Sequence, residues 1–381
     1  MLNFGRDNTS KIAKWWRNIN KEILFLFAFL FLLGLFFSFS STSSVVADKM
    51  NKEMYFFFIK HLTFVSISLF LIVTISIIDK KILIKFLPYL FFVSIFFLLL
   101  IPFIGTEVKG SKRWLDLFFL PRFQPVELVK PLFVIFIAKV IATEDKTKIN
   151  KRYLYSFLIL FLIVLLLINQ PDLGQTLLLV LTWITIIFVS GFNMIFLTIF
   201  GFSFLLIMSL LIFFFQDKFG YIFSRIQTFI DPKTGDNFQS QKALDAINQG
   251  GLTGQGMGEG ILKDKVPEAH TDYIIAVISE EFGAIFVLFI VTIFLFIGYR
   301  VLNKVLIEQD EFIKLALMGL ISLIIIQMFI HVGVNIRLIP TTGMTLPLLS
   351  YGGSSLVGSA ISAGIILNFT RKDTTRNYKN E

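Results

Sequence analysis

The sequence predicts an all-α polytopic membrane protein, and its composition and its apolar runs support this fold class. The 381 residues are 55% hydrophobic and only 16% charged, whereas soluble globular domains carry about 25% charged residues. Apolar runs long enough to cross about 30 Å of hydrocarbon recur from end to end of the chain. The chain contains no cysteine, which excludes disulfides and thiolate metal sites as the source of its stability.

Ten segments are long and apolar enough to be membrane-spanning helices. They lie at 23–42, 56–78, 84–103, 126–142, 153–169, 173–191, 195–215, 273–298, 313–335 and 353–370. The first segment is too long, and too poorly followed by a small-residue cleavage site, to be a removable signal peptide. We therefore expect a basic N-terminal segment at 1–22, one transmembrane domain at 23–370 and a tail at 371–381.

Lysine and arginine residues set the predicted orientation, because they are enriched in cytoplasmic loops. If there are ten spans, the basic clusters of 79–85, of 143–152 and of both termini fall on one side of the membrane. Both termini are therefore predicted to be cytoplasmic. The net charge of +9 is then mainly a cytoplasmic retention signal. No basic stripe with interleaved aromatic residues indicates nucleic-acid binding.

Polar residues gather in the segments that this orientation places outside the cell membrane. These segments are 43–55, 104–125, 216–272 and 336–352. The long outer loop 216–272 is not of low complexity, and polar segments of that length usually carry function or are disordered. Residues 221–230 of this loop have helical spacing of apolar residues, whereas the glycine-rich part at 250–260 is expected to be irregular.

The first candidate site follows the segment 104–125. Pro125 can open a helix, and Glu127 and Lys130 then lie three residues apart on one helix face. Ionisable residues at membrane depth are costly and tend to face a cavity. Two interpretations fit this spacing. The two side chains either form an ion pair that stabilises the start of the helix, or they line the polar wall of a cavity.

Basic residues also occur on the predicted outer side, against the charge rule. Lys109, Lys112 and Arg113 would suit an anionic group such as a pyrophosphate. Trp114, which follows them, is equally explained as an interfacial anchor. Asp172, in a tight outer link between two apolar segments, is most simply a cap at the start of a helix.

Asp272 stands at the mouth of a predicted span, beside His270 and Glu268. A partly desolvated carboxylate at this position is available for proton abstraction. The alternative is that Thr271 or Asp272 caps the following helix. The glycine-rich stretch before it is not a dinucleotide loop, since no strand precedes it. Glu280 and Glu281, deeper in the same span, are expected to pair with a lysine or arginine from a neighbouring helix.

The segment 340–355 contains two prolines and three glycines beside apolar spans. This composition predicts a broken, re-entrant backbone, which is tolerated where protein or a cavity surrounds it. A substrate wall is one use of such a segment. His331 and Asn335, one turn apart, either line the same cavity or make helix–helix contacts. His61, which follows Lys60, is interpreted as an interfacial residue.

At these positions the sequence resembles the SEDS family (shape, elongation, division and sporulation) over nearly the whole chain. The motifs that carry the resemblance are Lys112-Arg113-Trp114 with Phe123-Gln124-Pro125-x-Glu127-x-x-Lys130, Gln170-Pro171-Asp172, Pro267-Glu268-Ala269-His270-Thr271-Asp272, Glu280-Glu281-x-Gly283 and Pro347-x-x-Ser350-Tyr351-Gly352-Gly353-Ser354. The segment 246–263 is more similar to the division members of the family than to the elongation members. Val126 departs from the pattern, because the family commonly has serine there.

The resemblance implies a peptidoglycan glycosyltransferase that polymerises lipid II, in partnership with a class B penicillin-binding protein and other division-complex proteins. It implies a place in the bacterial inner membrane at the division site, with the catalytic face on the outer, periplasmic side. Asp272 matches the essential aspartate of the family and would deprotonate the attacking sugar 4-hydroxyl. The substrate-binding residues would be Lys109, Lys112, Arg113, Trp114, Gln124, Glu127, Lys130, Glu268, His270, Ser350, Tyr351, Gly352, Gly353 and Ser354. A divalent cation, Mg²⁺ or Mn²⁺, would bind with the pyrophosphate, and no organic cofactor is expected.

Two other functions stay open at this point. A transporter that moves the same lipid-linked precursor across the membrane would use the same cavity and many of the same polar residues, but it would need a path and no base. A non-catalytic division scaffold that recruits a transpeptidase would need only the outer loops and the spans.

Overall fold

The fold is that of a computed structural model, which describes residues 10–40, 55–108, 111–117, 121–143, 149–214, 216–231 and 237–372. Lys109 and most of the predicted terminal segments lie outside the described residues. The helices are α1 (Lys11–Asn18), α2 (Lys21–Ser40), α3 (Phe56–Ile77), α4 (Lys80–Ile104), α5 (Pro125–Ile141), α6 (Ile149–Asn169), α7 (Leu173–Val189), α8 (Met194–Phe214), α9 (Gln216–Ile230), α10 (Phe238–Gly250), α11 (Ile274–Ile307), α12 (Glu311–Asn335) and α13 (Gly353–Thr370). Two short strands, β1 (Thr106–Val108) and β2 (Ser111–Trp114), form an antiparallel hairpin between α4 and α5.

The predicted all-α polytopic architecture is confirmed, since a helix covers most of each of the ten predicted segments. Within the described residues, seven helices are long and apolar enough to cross a membrane, namely α2, α3, α4, α6, α11, α12 and α13. The helix α7 is apolar but shorter, with 17 residues. The number of spans and the side on which the termini lie stay predictions.

The helices α12 and α13 form the centre of the bundle. Burial within the protein covers 72% of the apolar window of α12 and 78% of that of α13, against 22% for α3 and 28% for α4. The peripheral helices therefore expose large side chains such as Phe70 and Phe103, as expected for surfaces that face lipid. α12 packs against α5, α7 and α11, and α13 packs against α3 and α5.

The helix α11 is interrupted at Gly283, whose backbone has φ 82° and ψ 170°. The chain after α10 fills the interruption: the amides of Ala284 and Ile285 donate to the carbonyls of Gly251 (3.0 Å) and Leu252 (3.3 Å). The loop thus satisfies backbone groups that the broken helix leaves without partners. The irregular backbone predicted for 250–260 is confirmed, and residues 221–230 are helical as part of α9.

The segment between α12 and α13 is not helical over residues 340–352, as the sequence predicts. It lies deep in the bundle, where Leu348 and Leu349 are fully buried. A Cβ added to Gly34 of α2 would lie 2.4 Å from the carbonyl oxygen of Leu349. The glycine therefore allows α2 to approach the main chain of this segment, and the segment is enclosed by protein as irregular backbone at membrane depth must be.

Candidate functional site

A row of polar side chains on α12 holds the non-helical segment in place. Gln327, His331 and Asn335 are spaced four residues apart and so lie on one face of the helix. The Gln327 side chain donates to the carbonyl of Thr345 at 2.9 Å. Nδ1 of His331 donates to the carbonyl of Met344 at 2.8 Å. The row thus replaces the hydrogen bonds that a helix would have supplied to these carbonyls.

Asn335, the last residue of this row, fixes the start of α11. Its Nδ2 donates to the carbonyl oxygen of Asp272 at 3.1 Å, and its Oδ1 accepts from the backbone N–H of Ala276 at 3.2 Å. Asp272 is half-buried. A Cβ on Gly343 would lie 3.7 Å from Oδ2 of Asp272, so the carboxylate lies beside the non-helical segment. The cap position of α11 is Tyr273, without a side-chain hydrogen bond, so neither Thr271 nor Asp272 occupies the cap position itself.

The residues before Asp272 form a tight turn. Glu268 is exposed and has φ 57°, in the left-handed region. The hydroxyl of Thr271 donates to Oε2 of Glu268 at 3.0 Å. The His270 ring stacks on Phe57 with centroids 5.6 Å apart, and its carbonyl accepts from the backbone N–H of Tyr351 at 3.0 Å. This turn therefore joins α3, the start of α11 and the segment before α13.

Glu127 and Lys130 form the predicted ion pair on α5. Their Oε2 and Nζ atoms are 2.7 Å apart, and both side chains are almost fully buried. The other carboxylate oxygen accepts from Gln175 at 2.8 Å, and Lys130 also donates to Gln327 at 3.2 Å. A buried pair needs such extra hydrogen bonds to offset its desolvation. The pair connects α5 to α7 and α12, and through Gln327 to the non-helical segment.

Arg113 binds the turn between α6 and α7 through its guanidinium. Its guanidinium donates to the carbonyls of Gln170, at 3.0 Å, and of Pro171, and its Nη1 is 3.6 Å from Oδ2 of Asp172. Gln124 donates to the same carboxylate oxygen at 3.1 Å. Oδ1 of Asp172 accepts from the backbone N–H at the third position of α7, so the predicted cap is confirmed. Burial raises the pKa of Asp172, and the nearby Arg113 opposes this shift.

The other residues of the outer hairpin occupy its surface. Lys112 is exposed on β2, opposite Glu107 of β1. Trp114 is half-buried at the end of β2, and its carbonyl accepts from the hydroxyl of Thr106 at 3.3 Å. The structure thus separates the predicted cations, because Arg113 faces the α6–α7 turn whereas Lys112 faces outward.

The motif from Ser350 to Ser354 fits the non-helical segment against α3 and α5. The buried hydroxyl of Ser350 accepts from the backbone N–H four residues earlier at 2.9 Å. The hydroxyl of Ser354 accepts from the backbone N–H of Gln124 at 3.0 Å. A Cβ on Gly353 would lie 2.5 Å from the ring of Phe64. The motif therefore fixes the position of the start of α13 relative to α3 and to the start of α5.

His61 lies next to this motif, and its interpretation as an interfacial residue is wrong. Its ring is fully buried, with its centroid 5.7 Å from that of Tyr351. Successive residues of a helix point about 100° apart, so the exposed Lys60 faces outward while His61 faces the bundle. Burial raises the pKa of Tyr351.

Glu280 and Glu281 hold the loop that follows α10. Lys263 lies 2.5 Å from Oε1 of Glu281, and the hydroxyl of Ser40 donates to the other carboxylate oxygen. The backbone N–H of Leu262 donates to Glu280 at 2.7 Å. The expected cation partner of Glu281 is therefore present, although it lies in the loop and not on a neighbouring helix.

Sequence reasoning missed several polar residues that the structure brings together. Gln327 lies one turn before His331, and this spacing was a signal that could have been used. The arginines Arg225 and Arg337 gave no local signal. Within the described ranges, no three His, Asp or Glu side chains converge into a metal-binding group.

The fold and the site define a multi-pass membrane protein in which charged and amide side chains support a half-buried aspartate. The family model for cell cycle proteins of the FtsW, RodA and SpoVE type matches residues 21–375. The chain belongs to this family, the SEDS family that its motifs resemble.

Related proteins align with most of the chain. A probable peptidoglycan glycosyltransferase FtsW of Caulobacter vibrioides is 31% identical over 377 residues, which are 97% of this chain and 93% of that protein. The protein with the same description in Trichlorobacter lovleyi is 35% identical over 283 residues, or 72% of each chain.

Solved structures share the fold. One chain of a peptidoglycan synthase complex, from work on the structural coordination of polymerization and crosslinking, matches with a TM-score of 0.75 and 24% identity. The match covers 92% of this chain and 97% of that one. The rod shape determining protein RodA of Thermus thermophilus matches with a TM-score of 0.67 and 23% identity, over 93% of this chain and 97% of that one.

Proposed function

We propose that the protein is a peptidoglycan glycosyltransferase that polymerises lipid II into glycan strands, with Asp272 as the general base. The observation that carries the proposal is the setting of Asp272. Asp272 is half-buried and its carboxylate lies beside Gly343. Its backbone carbonyl accepts a hydrogen bond from the buried side chain of Asn335. A base fixed on a rigid frame is what proton abstraction in a defined direction requires.

The reaction balances around this carboxylate. The sugar 4-hydroxyl of the acceptor transfers its proton to Asp272, and its oxygen forms a bond to the anomeric carbon of the donor sugar. The bond between that carbon and the pyrophosphate oxygen breaks, and the polyprenyl pyrophosphate leaves with the electron pair. Cationic groups near the leaving oxygens stabilise their developing charge.

A divalent cation is part of the proposal. Mg²⁺ is commonly bound by one or two carboxylates together with substrate phosphates, and keeps several of its waters. Asp272 is the carboxylate that this arrangement would use. Mg²⁺ or Mn²⁺ bound in this way would neutralise charge on the pyrophosphate.

We further propose that the protein works at the division septum of the bacterial inner membrane, with a class B penicillin-binding protein and other division proteins. Two findings support this. The relatives that match most of the chain are described as FtsW, and a structural neighbour belongs to a peptidoglycan synthase complex. The sequence predicts that the face bearing Asp272 is the periplasmic one.

The test is a polymerisation assay with purified protein, alone and with its cognate penicillin-binding protein, in nanodiscs with lipid II and Mg²⁺ or Mn²⁺. Wild-type protein is expected to give glycan polymer on a gel. Asp272→Asn is expected to lose at least about 100-fold in rate, as removal of a general base commonly does. Asp116→Asn, which changes an exposed carboxylate paired with Arg122 on the outer hairpin, is the matched control and should retain activity.

The same assay separates the competing functions. A transporter would move labelled lipid II between leaflets of a vesicle without forming polymer, and a scaffold would recruit the transpeptidase without doing either. Absence of polymer with every partner and cation would contradict the proposed activity. Full activity in Asp272→Asn would contradict the role of the base.

A further inference from the structure

A second polar site, distinct from the residues around Asp272, lies between α9, α10 and the chain after α12. It is a pocket of about 230 Å³ that Arg225 and Arg337 line together. The remaining polar lining consists of hydroxyl and amide side chains. They are Ser224, Thr228, Asn237, Ser240 and Thr341. Carboxylates are not among the described residues that line the pocket, and these residues have the composition of a site for an anion.

Both arginines retain donors for a ligand. Arg225 donates from Nη1 to the carbonyl of Thr341 at 3.2 Å, and Arg337 donates from Nη1 to Oε1 of Gln241 at 2.9 Å. A guanidinium has five N–H donors in a planar fork, and the hydrogen bonds to described residues use one of them on each side chain. None of the salt bridges found among the described residues involves either arginine.

The backbone of Arg337 adds an independent observation. It has φ 55°, in the left-handed region that favours glycine. Its amide donates to the carbonyl of Val334 at 3.1 Å, so the residue ends α12 in a tight turn. Glycine would adopt this conformation at less cost. A strained position occupied by a long cationic side chain that points into a pocket indicates a function for that side chain.

An apolar groove of about 540 Å³ continues from the pocket. Arg225, Ile339 and Thr341 line both cavities. Aliphatic side chains of α6, α7 and α8, including Leu160, Val180 and Leu197, supply much of the rest of the groove. Together the two cavities match an amphiphile that has an anionic head and a long apolar chain.

This double cavity adjoins the proposed base. Thr341, which accepts from Arg225, is two residues from Gly343, beside which the Asp272 carboxylate lies.

We infer that Arg225 and Arg337 bind the pyrophosphate of a polyprenyl-linked substrate or product whose chain occupies the adjoining groove. The inference rests on the proposed function and assigns it a phosphate subsite. It does so without Arg113, whose guanidinium is directed to the α6–α7 turn. Phosphate and guanidinium fit each other in a bidentate geometry, and the partly buried setting strengthens the bond.

The test measures binding and not catalysis. A long-chain polyprenyl pyrophosphate is titrated into the full chain in nanodiscs of phosphatidylcholine, which carries no net charge. Arg225→Gln and Arg337→Gly are each expected to weaken binding about ten-fold or more, as loss of a charge-assisted hydrogen bond implies. Ser224→Asp, which keeps both arginines and adds a negative charge to the lining, is expected to weaken it similarly.

The variants include controls for folding and for charge. Arg337→Gly relieves the left-handed strain, so its unfolding temperature should equal or exceed that of the wild type. Arg300→Gln removes an arginine that is also half-buried but pairs with Glu22 elsewhere in the bundle, and should bind normally.

Each outcome bears on the inference. Equal affinity in wild type, Arg225→Gln and Arg337→Gly would overturn it. Displacement of the polyprenyl pyrophosphate by phosphatidylglycerol at equal concentration would also overturn it, and would assign the pocket to a phospholipid head. If wild-type protein makes no polymer yet binds polyprenyl pyrophosphate through both arginines, the proposed activity fails while the subsite stands.

Discussion

The side chain of Asn335 connects the end of α12 to the main chain of Asp272. Its amide nitrogen donates to the Asp272 carbonyl at 3.1 Å and to the His331 carbonyl at 2.8 Å, while its amide oxygen accepts from the N–H of Ala276. Asn335 is fully buried, so water does not compete for these bonds. The direction of the Asp272 carboxylate therefore depends on a residue that acts through the backbone and is a positioning residue.

Replacing Asn335 by alanine is expected to slow polymerisation by about 10- to 100-fold, because small displacements of a catalytic group are costly. It should also destabilise the fold by about 1–3 kcal/mol, since buried backbone groups lose their partner. The rate of glycan formation and the unfolding temperature in detergent are the two measurements. KM should change less than kcat, because the substrate site is left in place.

A second buried asparagine provides the control for this prediction. Asn368 of α13 donates to the carbonyls of Ile75 and Ile78 near the end of α3. Asn368→Ala should lose a similar amount of stability while kcat stays near that of the wild type. Equal losses of kcat in the two variants, measured below both unfolding temperatures, would show that Asn335 acts only through stability.

The helices and the local ion pair could be predicted because their signals are local. An apolar run of sufficient length specifies a helix in a membrane, and the three-residue spacing of Glu127 and Lys130 brings them together in any helix. Their other partners could not be predicted. Gln175 and Gln327 lie 48 and 197 residues from the residues they contact, and such contacts depend on how the helices pack.

The site residues also divide into those that have a local signal in the sequence and those whose contacts depend on the fold. Asp272 could be found because it stands where a polar loop meets an apolar run. Arg113 illustrates the limit, because a cation in an outer loop is equally suited to a phosphate or to backbone carbonyls, and only the fold brings the turn at 170–172 to it. His61 shows that a residue's neighbour in sequence does not fix which side of a helix it occupies.

Removing one member of the buried pair on α5 is expected to cost more than removing both. Glu127→Ala leaves the ammonium of Lys130 buried without its counter-ion, and such changes cost about 3–5 kcal/mol. The double change to Leu at Glu127 and Met at Lys130 should recover much of that loss. Thermal unfolding of wild type, Glu127→Leu, Lys130→Met and the double variant gives the coupling energy of the pair.

The same variants should reduce polymerisation only in part, since the pair supports the site through Gln327 and does not contact Asp272 in the contacts found among the described residues. Assays on the double variant separate the two effects. Full activity in Glu127→Ala and in Lys130→Ala would leave the pair with a structural role alone.

Alkaline pH is expected to weaken the fold through Tyr221. Burial raises the pKa of Tyr221 to about 12 from its ordinary value of 10.0. Between these values the folded chain keeps the phenol proton while the unfolded chain loses it, so stability falls as pH rises. Replacing Tyr221 by Phe should flatten this fall, measured as unfolding temperature from pH 9 to about pH 12. Tyr299→Phe, at an exposed position, is the control, and a slope as steep in Tyr221→Phe as in wild type would contradict the assignment.

The interruption of α11 predicts a difference between two glycines that have nearly the same positive φ. Gly283 has φ 82° and Gly191 has φ 81°, so alanine at either position costs about 1–3 kcal/mol in backbone strain. A Cβ at Gly283 would also lie 2.2 Å from the carbonyl of Leu252, whereas nothing lies within 4 Å at Gly191. Gly283→Ala should therefore lower the free energy of unfolding by a further 1–3 kcal/mol or so, because the loop must shift. Thermal unfolding in the same detergent measures both variants. Equal losses of unfolding free energy would mean that the loop does not depend on the close approach at Gly283. A larger loss in Gly283→Ala, together with faster proteolysis after α10, would show that the break in the helix holds the outer loop in place.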